Sequence, residues 1–112
     1  MALHTVSHDL VPFSMIADTR RGQLTMSLHG ELDFACSEML DDVSYEGDDD
    51  TVDVVVDLAE LDFTDTAGIR ALVGVQRRNR ERGRDVTLTD ATGLVRRVFG
   101  LYGREDALLP AG

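Results

Sequence analysis

The chain has no tryptophan, no lysine and a single cysteine, Cys36. Each shortage excludes something. One cysteine rules out an intramolecular disulfide framework and fits a reducing compartment. With aromatics at only 5% of residues, aliphatic side chains must fill the core. No run approaches the roughly 20 apolar residues that cross a bilayer, so no direct membrane insertion is expected. The N-terminal MALHTVSHDLVPF has no basic patch leading into an apolar stretch, so no secretory signal is expected and the cytoplasm is the expected location. His4, His8 and His29 fall at no metal-ligand spacing with Cys36 or with one another, so no metal is expected.

What is present is enough for one packed domain. The 112 residues are 43% hydrophobic, in the ordinary globular range. Net charge is −10, unevenly spread: of the eleven arginines only Arg20 and Arg21 precede Thr66. An acidic surplus repels nucleic acid and anionic lipid and favours a basic protein partner.

Residues 1–12 lack periodicity and are expected to be a lead-in, leaving 13–110 as a single domain. Phe13 to Asp18 and Leu24 to His29 read as a hairpin, with Leu24, Met26 and Leu28 alternating against polar residues and Gly22 supplying the turn. Asp33 is placed to cap a helix in which Cys36, Met39, Leu40 and Val43 share a face. VDVVVDL, from Val52 to Leu58, reads as a central strand covered on both faces. AELDF reads as a loop into a second helix from Thr66 to about Arg82, stopped by Gly83. Val86 and Leu88 mark a strand, and Thr92 precedes a third helix with Val95, Val98, Phe99 and Tyr102 on one face. Ala107 to Leu109 is a candidate edge strand before Pro110. The order β-β-α-β-α-β-α(-β) implies an α/β fold with a mixed sheet and helices packed on it.

The informative segment is VDVVVDLAELDFTDTAGIRALV. It brings two hydroxyls and a carboxylate to a helix N-terminus, where backbone N–H groups are unpaired and the dipole is positive. Capping by Thr66 or Asp65 accounts for that much. Ala67 followed by Gly68 is left over, since Gly in a helix costs about 1 kcal/mol relative to Ala. A small flat surface beside an exposed hydroxyl suits docking of another protein's backbone.

Gly30-Glu31-Leu32-Asp33 resembles the GELD signature of the STAS family, and within it of the bacterial anti-sigma factor antagonists. Asp57-Leu58 through Phe63-Thr64-Asp65-Thr66-Ala67-Gly68-Ile69 is similar to that family's D-L-x-x-V-x-F-x-D-S-S-G-L motif, and GLVRRVFGLYG followed by ALLP resembles its closing segment. The resemblance implies a STAS-like fold and a partner switch. The antagonist binds an anti-sigma factor that is also a serine/threonine kinase and so releases a sigma factor. The kinase then phosphorylates the hydroxyl residue after the motif's Asp, and a phosphatase restores it. Here the implied acceptor is Thr66, with Asp33, Thr64, Asp65, Ala67, Gly68 and Ile69 as the implied partner-binding residues and a monomer as the default state. The acceptor is Thr rather than the commoner Ser, and Ala67 stands where the motif has Ser. A similar D-T-A-G occurs in STAS subunits of membrane lipid-transport ABC complexes that bind their ATPase, which is the alternative.

No catalytic constellation is visible. Ser37 and Ser44 have no paired base, no phosphate-cradling glycine loop exists, and Asp62 with Asp65 forms no evident site. The chain is expected to be a kinase substrate rather than an enzyme, without a cofactor. Arg77, Arg78, Arg80, Arg82 and Arg84 crowd the end of the second helix, where solvated cations suit its dipole, a partner-contact patch being the alternative.

Overall fold

The computed structural model describes residues 2–8, 13–36, 38–40 and 50–109. Its elements are β1 (Ala2–His8), β2 (Phe13–Arg20), β3 (Gln23–Leu32), β4 (Asp53–Thr64), α1 (Thr66–Glu81), β5 (Asp85–Thr89) and α2 (Gly93–Leu101), with a 3-10 turn at Glu105–Ala107. The strands form one sheet in the order β1-β2-β3-β4-β5. β1, β2 and β3 pair antiparallel, whereas β3–β4 and β4–β5 are parallel. The mixed sheet with helices on it is the architecture expected from the sequence.

Alternation builds the sheet. Met15 and Ala17 of β2, Leu24, Met26 and Leu28 of β3, Val54, Val56 and Leu58 of β4, and Val86 and Leu88 of β5 all point to one core. Leu72 and Val75 of α1 and Val95 and Phe99 of α2 close over it. The β2–β3 turn is two residues, Arg21 and Gly22, at φ of 50° and 80°, a pair of positive values that matches the twist of the flanking strands.

Several expectations are corrected. Residues 2–8 are not a lead-in but the edge strand β1, hydrogen-bonded along β2 from Ala2↔Thr19 to His8↔Phe13. Main-chain pairing with an otherwise open edge needs no apolar pattern, so periodicity does not reveal it. Nor is β4 covered on both faces: Val55 and Asp57 are half-buried beside Ser27 and Thr87 on the more open side. Valine favours the pleated backbone whether or not both faces are buried. Tyr102 is 53% exposed rather than part of the α2 core face. The expected last strand reduces to one parallel bridge, Leu88↔Leu108, with Leu109 N–H donating to Leu88 O at 2.8 Å.

The AELDF segment is likewise strand, not loop. Buried positions in β4 run Val54, Val56, Leu58, then Leu61 and Thr64, so the spacing passes from two to three. Each step of three falls at a register shift against β3, between Ser27 and His29 and between Gly30 and Glu31. Two bulges thus re-phase the strand and carry its end to the site. Of the first expected helix, Glu38–Leu40 is helical and Cys36 and Leu40 are buried. Val43, Ser37, Ser44 and Pro110 lie outside the described residues.

α1 approaches the end of β3 closely at Gly68. A Cβ there would collide with Thr64 Oγ1 and stand 2.6 Å from Leu32 O, whereas one on Gly74 would meet only the flexible Arg78 guanidinium at 3.0 Å. Gly68→Ala should therefore lower stability by roughly 2 kcal/mol or more. Gly74→Ala should be neutral or gain up to about 1 kcal/mol. Urea unfolding followed by circular dichroism reads both; equal midpoints for the two variants would refute the packing account.

Candidate functional site

β3 and β4 end level with one another, at the pair Leu32↔Thr64. The parallel pairing therefore sets Asp33 beside Asp65 at the carboxyl ends of two neighbouring strands, where open α/β sheets form their sites. Asp65 N–H donates to Leu32 O at 3.2 Å. Its carboxylate then accepts twice: Oδ1 from Gly68 N–H at 2.9 Å and Oδ2 from Phe34 N–H at 3.1 Å. One bond caps α1 and the other ties down the turn that follows β3. Asp33 holds the rest of that turn, Oδ1 accepting from Ala35 N–H at 2.9 Å and its carbonyl from Cys36 N–H at 3.0 Å.

The cap is thus Asp65, and Thr66 is the first residue of α1. The Thr66 side chain is half-buried, as are Asp33, Asp65 and Ala67. Thr64, Gly68 and Ile69 are buried. Thr64 Oγ1 donates to Asp65 O at 3.2 Å, and Ile69 N–H donates to the same carbonyl at 3.0 Å. The flat docking surface read into Gly68 is therefore corrected: its missing side chain serves the contact with β3 and faces inward.

The surface next to Thr66 includes two residues the sequence reading did not single out, Phe34 and Arg70. Thr66 opens onto a shallow groove of about 680 Å³ along α1, lined also by Phe34, Arg70 and Tyr102. Phe34 is 79% exposed, although Asp65 fixes its backbone. An aromatic directly after the capping Asp33, off the helical apolar period, was the available signal. The arginine cluster is also only partly solvated: Arg84 is 4% exposed and donates to Asn79 Oδ1 at 3.0 Å. Burial first, then the Asp33 carboxylate, pushes the Cys36 thiol above its ordinary value. No group of metal-ligating side chains occurs among the described residues, and no described helix is long and apolar enough to cross a membrane.

The family described as Mlab, STAS domain, matches residues 16–110, most of the chain. The chain belongs to the STAS family. Among solved structures it is similar to the anti-sigma factor antagonist SpoIIAA in its unphosphorylated form, at TM-score 0.70 and 21% identity over 88% of each chain. An anti-sigma factor antagonist from Mycobacterium paratuberculosis matches at TM-score 0.67 and 17% identity, over 86% of this chain and 82% of that one. A sulfate transporter family protein from Wolinella succinogenes matches at 0.69 and 17%, over 82% and 75%. At these identities the likeness is one of fold. No significant match occurs among curated proteins.

Because Asp65 rather than Thr66 caps α1, Asp65→Ala should cost about 1–2 kcal/mol of stability. Thr66→Ala should change stability by less than about 0.5 kcal/mol. Denaturant titration separates the two; a larger loss at Thr66 would reverse the assignment. Cys36 should stay a thiol well into alkaline solution, its raised pKa depleting the reactive thiolate. A thiol reagent at pH 8 should label it at least about tenfold more slowly in the folded chain than in urea, and equal rates would contradict its burial.

Proposed function

We propose that the chain is a cytoplasmic anti-sigma factor antagonist, monomeric and without cofactor or enzymatic activity. In this reading it binds an anti-sigma factor that is also a serine/threonine kinase, frees the sigma factor, and is switched off by phosphorylation of Thr66. A phosphatase resets it. The observation that carries the reading is the division of labour at the start of α1. Asp65 makes the cap, so the Thr66 hydroxyl is not committed to it and stands beside an acid at the mouth of a groove. The fold likeness to two anti-sigma factor antagonists supports it.

In the transfer, Thr66 Oγ1 would bond to the γ-phosphorus of ATP as the bond to the β,γ-bridging oxygen breaks. ADP leaves and the hydroxyl proton passes to a base of the kinase. The product carries about −1.5 to −2 charges at that point. A helix N-terminus tolerates an anion, so the fold need not change. A partner seated over Thr66 would have to bury the phosphate next to the Asp65 carboxylate. Near a protein surface such repulsion is on the order of a few kcal/mol, and about 2.7 kcal/mol already weakens binding a hundredfold.

A second reading, a STAS subunit that binds the ATPase of a membrane lipid-transport ABC complex, is favoured by the matched family's own description, Mlab, and by the transporter-family neighbour. Affinity purification from the native host separates the two. The switch predicts a co-purifying ATP-binding kinase and phosphate on Thr66. It also predicts that Thr66→Glu loses the kinase about a hundredfold, while Thr66→Ala binds it and is not released by ATP. A membrane-attached ATPase with Thr66 never modified would establish the transport reading instead.

A further inference from the structure

The net charge of −10 suggests a basic partner, but the groove beside Thr66 has the opposite character. Its floor is made of small residues of α1, Ala67, Ala71 and Gly74, one helical turn apart. Arg70, Arg77, Arg78 and Arg104 line it as well, and no described lining residue is acidic. Arg77 approaches Glu81 at 3.9 Å, but both side chains are about two-thirds exposed. Exposed pairs of this kind hold each other weakly and re-pair readily. Phe34 and Tyr102 add apolar surface at 79% and 53% exposure.

We propose that this groove takes a short acidic segment of the protein partner, carboxylates flanking an apolar side chain, with Phe34 as its apolar contact and Arg70 and Arg77 as its charge contacts. The proposal rests on reading the start of α1 as the docking face, and names the chemistry that docks there. Scale selects a segment over an extended anionic surface. From Thr66 to Arg78 the helix rises about 18 Å, enough for three turns of a partner helix or five to six extended residues. At physiological ionic strength charges are screened beyond about 8 Å, so a short segment lying in the groove feels its four lining arginines together with Asp65 beside Phe34 and Glu81 beside Arg77, rather than the net charge of the whole chain. DNA or an anionic membrane would also bring its charge against the acidic remainder of the molecule.

The same arrangement gives the phosphorylation of Thr66 a sharper consequence. An acidic segment lying along Arg70 would meet a dianion one helical turn away, and the phosphate would compete for that guanidinium. Asp65 is adjacent, and its second oxygen holds the Phe34 amide. Charge added at Thr66 therefore acts on both proposed contacts.

The test uses the full chain, ¹⁵N-labelled, with defined probes. One is a helical peptide with a leucine stripe flanked by glutamates, and its counterpart has lysines at the same positions. The third is a vesicle of phosphatidylglycerol. The glutamate peptide should bind with a Kd below about 1 mM and shift amides of Phe34, of Thr66 through Arg78 and of Tyr102. Arg70→Glu with Arg77→Glu should weaken it at least about tenfold, and Phe34→Ser about tenfold. Arg97→Glu, an exposed arginine outside the groove lining, should leave binding unchanged. No binding of the glutamate peptide, equal binding of the lysine peptide, shifts mapping elsewhere, or vesicle binding through Arg70 and Arg77 would each overturn the proposal. Because the unmodified chain is used, a Thr66 that is never phosphorylated in the host leaves this result standing while removing the switch; Thr66→Glu, expected to lose the glutamate peptide, reads the link between the two.

Discussion

The site depends on one carboxylate with two obligations. Asp65 accepts from Gly68 N–H on its own helix and from Phe34 N–H across the strand ends. The first bond satisfies one of the donors that a helix start leaves unpaired. The second joins segments 31 residues apart in sequence, so the helix, the end of β4 and the turn after β3 are fixed together. This arrangement also requires Gly68, because the capped helix comes down directly on the Leu32 carbonyl. Sheet register, glycine and cap are thus parts of one constraint, and Thr66 and Phe34 are its outward-facing consequences.

Much of this was legible in the sequence, and the failures have physical causes. Leu24, Met26 and Leu28 announce a half-buried strand because one face must be apolar, and they are buried as read. The α1 start was legible because a capping acid before Thr-Ala-Gly has few other uses, although pattern alone left Asp65 and Thr66 equivalent. What chose between them was the β-region backbone of Asp65, at φ −104° and ψ −173°, a conformation set by where β4 ends. The end of β4 was itself hidden. Two bulges turn a period of two into steps of three at Leu61 and Thr64, which looks like a loop to any test for alternation. β1 was missed for the complementary reason, since an edge strand is held by main-chain bonds that carry no side-chain signature.

Phe34 marks a different limit. An exposed aromatic is ordinary in isolation, and nothing in its neighbours says that its backbone is anchored by an acid 31 positions later. Charge shows the same gap between sum and position. A count of −10 describes the whole chain, yet the groove along α1 concentrates arginines that the helix spacing brings to one stripe. Screening makes the local value the relevant one for anything smaller than the protein itself.

These two points meet at Thr66. A modification can change binding without refolding only if the modified group contributes little to the native state, and here the hydrogen bond that stabilises the helix start belongs to its neighbour. Had Thr66 been the cap, phosphate would have disrupted helix and interface together, and the two states would have differed in stability as well as in affinity. With Asp65 as the cap, the cost of a charge added at Thr66 would fall mainly on whatever lay over the groove. In the proposed switch, a coupling of about two to three kcal/mol would then be delivered through direct contact, with no second conformation needed to transmit it.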